Sequence, residues 1–119
     1  MDTANLIKLC LARDHAGIQE LVSNHQHAVF RLCLSILDNS AEADEATQDV
    51  FISALSSLDT FRGESDLSTW LNSITVNLCR NRLRKRRTKE RLIQTLQSIF
   101  RFGGVSSTYP EEIVIQREA

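Results

Sequence analysis

The residues best equipped to bind a charged partner lie in residues 67–91, LSTWLNSITVNLCRNRLRKRRTKER. The second half of this stretch is cationic: Arg80, Arg82, Arg84, Lys85, Arg86, Arg87, Lys89 and Arg91, with Glu90 the only acid. These are eight of the fourteen Lys and Arg in the chain. On a continuous helix Ser73, Asn77, Arg80, Arg84, Arg87 and Arg91 recur at steps of 4, 3, 4, 3 and 4 and line one edge. Guanidinium groups so spaced suit a phosphate backbone, and an Asn among them can donate and accept toward a base edge. A solvated, charged helix end has a similar composition. What sets this stretch apart is its first half, where Leu67, Trp70, Leu71, Ile74 and Leu78 form an apolar face that can anchor the helix.

A second charged surface precedes it. Residues 41–57 form the clearest helix, with Ala43, Ala46, Val50, Phe51, Ala54 and Leu55 as one apolar stripe. Glu42, Asp44, Glu45, Gln48 and Asp49 cover the rest of its first half. Acids there complement the helix dipole, which is ordinary helix chemistry. They equally form an acidic face for a basic partner. Spacing alone leaves both readings open.

Other chemistry finds little support. Cys10, Cys33 and Cys79 are widely spaced, contain no CxxC pair and read as small buried hydrophobes. His25 and His27 point to different sides of a helix and His15 is remote, so no metal site is expected. No nucleophile elbow, phosphate loop or Ser/His/Asp grouping is present, so neither an enzyme nor a cofactor is expected.

A chain of 119 residues makes one modest domain. Its net charge of −1 hides segregation, with acids in the middle and bases after residue 80; local patches, not the total, decide binding. No apolar run approaches the roughly 20 residues of a membrane span, and the N-terminus lacks the pattern of a signal peptide. A soluble, cytoplasmic protein without membrane insertion is expected.

The elements that must position the charged surfaces are helical. A short helix is expected over residues 5–11, with Leu6, Leu9 and Cys10 inward. Arg13, Asp14 and His15 form a turn in which Asp14 caps a long second helix, residues 15–37. The polar patch Ser23, Asn24, His25 and Gln26 is either an exposed turn of that helix or a break. Asp38, Asn39 and Ser40 end it and offer caps for the third. Between the third and fourth helices lies LDTFRGESDLS, where Gly63 permits a turn, Phe61 is expected to tie the loop to the core, and Ser65 or Asp66 can cap the basic helix.

The ordered motifs of this central run, Asp49-Val50-Phe51 after Gln48, Phe61-Arg62-Gly63-Glu64-Ser65, Thr69-Trp70-Leu71, Asn77 and the basic run, resemble region 2 of bacterial sigma-70-type factors of the extracytoplasmic-function (ECF, group 4) class. The resemblance covers about residues 5–87. It implies that the acidic helix docks on the clamp helices of the RNA polymerase largest subunit, through Asp44, Glu45, Gln48 and Asp49, with Phe51 mainly in the core. It further implies promoter DNA as partner. Phe61, Arg62, Gly63, Glu64, Ser65, Asp66, Leu67 and Ser68 match the loop that receives a base flipped from the non-template strand of the −10 element. Asn77 matches a position lining that pocket, with Ser73 and Asn81 near it, and Arg80, Arg84 and Arg87 would hold phosphates. An anti-sigma factor is an implied regulator. Leu67 and Ser68 stand where several family members carry aromatics, so stacking on a base is expected to be weaker here.

The expected architecture is all-α: a compact bundle of about four helices over residues 1–95, and a flexible linker over residues 96–119 leading toward region 4. Within residues 88–100, Leu92, Ile93, Leu96, Ile99 and Phe100 predict an extension of the fourth helix or a short extra one. RFGGVSSTY reads as linker, and Pro110 with Glu111 and Glu112 as a helix start. The chain stops at Ala119, where region 4 would begin, so a fragment or truncated form of a longer factor is expected. Two other classes fit parts of the pattern: a module binding polymerase or an inhibitor without reading DNA, and a basic helical RNA-binding domain.

Overall fold

A computed structural model describes residues 2–102, with four α-helices and one short 3-10 turn: α1 (Thr3–Leu11), α2 (His15–Leu37), α3 (Ser40–Ser56), the turn Leu58–Thr60, and α4 (Leu67–Phe102). The expected helix start at Pro110 and the linker glycines lie outside the described residues. The chain divides into two compact units, Met1–Leu83 and Arg84–Ala119.

Each helix of the first unit begins where a short acceptor side chain meets an orphan backbone N–H. Asp2 accepts from Asn5 at 2.8 Å, Asp14 from Gly17 at 3.1 Å, Asn39 from Glu42 at 2.8 Å and Asp66 from Thr69 at 2.8 Å. Helix ends are equally local. Asp38 closes α2 in the left-handed region at φ 53, a conformation that Asp and Asn tolerate better than most residues. The patch Ser23–Gln26 is unbroken helix.

Leu6, Cys10, Leu21, Val29, Cys33, Leu37, Ala43, Ala46, Val50, Phe51, Ala54, Leu58, Leu67, Leu71 and Cys79 form one core. All three cysteines are in it, as their apolar positions predict. Burial and the neighbouring Cys33 push the Cys79 thiol up to about 12, which keeps it protonated and inert. Two polar residues join the core, Thr47 and Thr75, each satisfied by donating to the carbonyl four residues earlier, Ala43 at 2.7 Å and Leu71 at 2.8 Å. Helices α1 and α2 cross closely at Gly17, where a Cβ would sit 2.5 Å from that of Leu9. A methyl there overpacks the crossing, at roughly 1–3 kcal/mol.

In the second unit α4 continues as helix to Phe102, so residues 96–102, expected in the linker, are its last turns. Ile93, Leu96 and Ile99 keep helical spacing and no breaker precedes Gly103.

Candidate nucleic-acid and partner interface

Two surfaces of the first unit carry the expected binding residues. One comprises the loop after Thr60 and the start of α4. Phe61 is half-buried and packs on Trp70, ring centroids 5.4 Å apart and tilted by 57°. Gly63 turns the chain at φ +75, a conformation that L side chains rarely adopt. Asp66 then caps α4, and the hydrogen bonds from the Thr69 side chain and backbone hold its carboxyl below the ordinary range. The loop is thus fixed at both ends while Arg62, Gly63, Glu64, Ser65, Asp66 and Ser68 stay exposed.

Leu67 carried two expectations, a place on the anchoring apolar face and a place in the base-receiving loop; at 5% exposed it belongs to the core, as the first expects. The reason is register: as the first residue of α4 it shares the apolar stripe of Leu71 and Ile74. Beyond it Ser73, Asn77, Arg80 and Asn81 are exposed, while Thr75 and Cys79 face inward. Ser73 donates to the Thr69 carbonyl at 3.3 Å. Asn77 and Arg80 have no side-chain partner among the described residues. In the second unit Arg84 and Arg87 are exposed on α4. No acid occurs from residue 67 to residue 89, and the first on this helix is Glu90.

The second surface is α3, which carries Glu42, Asp44, Glu45 and Asp49 and no base. All four expected docking residues, Asp44, Glu45, Gln48 and Asp49, are exposed. They are not equivalent. Arg82 of α4 donates to Asp49 at 2.7 Å and pairs with Glu45 at 3.5 Å. The hydrogen bond to Asp49 raises the affinity of this guanidinium for its proton still further. Arg82 thereby ties α4 to α3. The sequence showed it only as one base in a run, because its position opposite the Ser73–Asn77–Arg80 edge becomes meaningful only when α3 lies there. At 3.6 residues per turn, Asp44 and Asp49 stand about 140° apart around the α3 axis. Asp44 therefore faces the α2 side and makes no side-chain bond among the described residues. Ile52 lies between the two edges and is 64% exposed, an apolar residue at the centre of a polar face. Its helical phase, one turn beyond Gln48 and off the Val50–Ala54 stripe, was the available signal.

Comparison with known proteins bears on both surfaces. The family model described as Sigma-70 region 2 matches residues 21–89. The ECF RNA polymerase sigma factor SigM of Mycobacterium tuberculosis is 30% identical over 114 residues, 96% of this chain and 57% of that protein. SigW of Bacillus subtilis, also an ECF RNA polymerase sigma factor, is 32% identical over 81 residues, 68% of this chain and 43% of that protein. The ECF RNA polymerase sigma-E factor of Escherichia coli is 39% identical over 70 residues, 59% of this chain and 36% of that protein. The chain thus spans about half the length of SigM and less of the others. Among solved structures, an engineered region 2 of sigmaE in complex with GTAAAA, determined by NMR, aligns with a TM-score of 0.65 at 28% identity, over 75% of this chain and 97% of that one.

Proposed function

Because the chain belongs to the Sigma-70 region 2 family, in its ECF branch, we propose that it is the promoter- and polymerase-binding module of a transcription initiation factor, without catalytic chemistry of its own. The observation that carries the reading is the capped, exposed loop of residues 62–66 at the start of α4, the helix whose exposed Asn77 and Arg80 have no side-chain partner among the described residues. A single strand of the promoter −10 element binds there; the structure of the similar engineered region 2 of sigmaE in complex with GTAAAA supports a nucleic-acid partner. One base leaves the stack, at a cost of a few kcal/mol. The loop backbone, Ser68 and Asn77 meet its polar edges, with Ser73 and Asn81 beside them and Phe61 holding the loop in place. Arg80, Arg84 and Arg87 hold phosphates. The α3 face docks on the clamp helices of the polymerase largest subunit, and an anti-sigma factor covering both surfaces competes with polymerase.

The test is fluorescence anisotropy of the 119-residue chain with GTAAAA as single-stranded DNA, the same sequence as RNA, its duplex, and a base-shuffled single strand, all at one stated salt concentration. Tightest binding to the unshuffled single-stranded DNA is expected. Equal binding to all four would reduce the basic helix to a general polyanion surface, and a preference for the RNA strand would make this an RNA-binding domain.

A further inference from the structure

In the second unit no described residue from Arg84 onward is buried. Yet Leu92 is 47% exposed, Ile99 41% and Phe100 39%, with Ile93 and Leu96 half-buried beside them. All five fall on one side of α4. Leu92, Leu96 and Ile99 recur at steps of 4 and 3, and Ile93, Leu96 and Phe100 at steps of 3 and 4. Large apolar side chains gathered on one exposed side mark a contact surface.

Charge narrows what can cover it. Residues 84–101 hold seven Lys and Arg against one acid, Glu90. A second copy would set two such helices side by side, and like charge opposes that pairing. The cations also sort by type. Lys85 and Lys89 lead into the apolar stripe at steps of 4 and 3 before Leu92. Arg84, Arg87 and Arg91 lie about 150° away around the axis. Lysine stems can lie along an apolar layer and carry their ammonium groups out to anionic head groups. The planar guanidinium forks that suit the carboxylates of a protein partner are on the other side. An apolar stripe headed by lysines, on a helix with a cationic excess, has the pattern of a helix that lies in a membrane interface. Lying there differs from spanning: no described helix is long and apolar enough to cross a membrane.

We propose that the end of α4 binds the surface of a lipid bilayer that carries anionic head groups. Leu92, Leu96 and Ile99 enter the boundary between head groups and acyl chains, and Lys85 and Lys89 meet the lipid phosphates. The helix lies along the surface with its Arg84–Arg87–Arg91 edge turned away. This assignment stands on the second unit alone and does not need the promoter reading.

The experiment is cosedimentation of the full 119-residue chain with sucrose-loaded vesicles. One set is phosphatidylcholine alone, the other an equal mixture of phosphatidylcholine and phosphatidylglycerol. Wild type is expected to bind the mixed vesicles at least tenfold more tightly, and to lose most of that advantage at high salt. Leu96→Gln with Ile99→Gln keeps every charge and uses a good helix former. It is expected to weaken binding to the mixed vesicles at least tenfold. Its affinity for single-stranded GTAAAA and its thermal midpoint should match wild type, because neither residue is buried. Lys85→Gln with Lys89→Gln should weaken vesicle binding as well and flatten its salt dependence. If Leu96→Gln with Ile99→Gln binds mixed vesicles within twofold of wild type, the tail is a polycation without an inserted stripe, and the proposal is overturned. Equal binding of wild type to both vesicle types, or binding to neither, overturns it too. A dimer in analytical ultracentrifugation that the same two substitutions dissolve would give the stripe to a second copy and overturn the lipid assignment.

Discussion

The α3 face and the exposed edge of α4 hold charges of opposite sign under different constraints. On α3 two of the four acids, Glu45 and Asp49, are engaged by Arg82, so part of the face is spent on holding the fold together. On the α4 edge Asn77 and Arg80 have no side-chain partner among the described residues. A charge neutralised within the chain contributes to stability and little to recognition; a charge left open does the reverse. The same helix α4 shows both cases two residues apart, Arg80 outward and Arg82 toward α3.

The largest effect should come from the open side. Replacing Arg80, Arg84 and Arg87 together with Ala is expected to weaken binding to single-stranded DNA by a hundredfold or more at low salt, across all sequences. The log–log salt slope should flatten by roughly 0.7 per lost phosphate contact, with the thermal midpoint unchanged. A lost midpoint with an unchanged slope would make these residues structural and reverse the comparison.

The closed side should respond through stability. Arg82→Ala and Asp49→Ala are each expected to destabilise the fold by about 0.5–1 kcal/mol, as partly exposed pairs do. A double-mutant cycle in urea should show a coupling of similar size. The comparison sharpens if neither change alters the salt slope of DNA binding. Charge reversal at Asp49 confounds docking with folding, because it sets a second cation against Arg82; reversal at Asp44 does not.

A smaller effect belongs to the loop. The hydrogen bonds from Thr69 depress the folded-state pKa of Asp66, so its contribution is present above the ordinary Asp range and is lost as pH falls through it. The thermal midpoint of Asp66→Asn should therefore lie slightly below wild type at neutral pH and converge with it as pH falls below the ordinary Asp range. A constant gap would mean that the cap does not depend on its charge.

Much of this was readable from residue order. Capping by Asp14, Asn39 and Asp66, the α3 stripe and the turn at Gly63 follow from local chemistry, and local chemistry is what a sequence displays. What was hidden depends on neighbours distant in the chain. Leu67 matched both the loop and the apolar face of α4, and the packing shows that the face takes it. Thr47 and Thr75 are polar by type but satisfy their hydroxyls on their own helices and can be buried. Arg82 was one base among eight until α3 gave it a partner 33 residues earlier. The family resemblance located the candidate surfaces; it did not separate filled carboxylates from open ones.

The central claim is that residues 62–66 and Asn77 read a base and do more than attract a strand. The most direct measurement is a base-substitution series: wild type and Asn77→Ala, each titrated with single-stranded oligonucleotides carrying all four bases at every −10-like position, at one stated salt concentration. The account predicts that Asn77→Ala loses discrimination at one position, by about 1–3 kcal/mol, and keeps its ranking at the others. Identical rankings for the two proteins, differing only by a uniform drop in affinity, would contradict it.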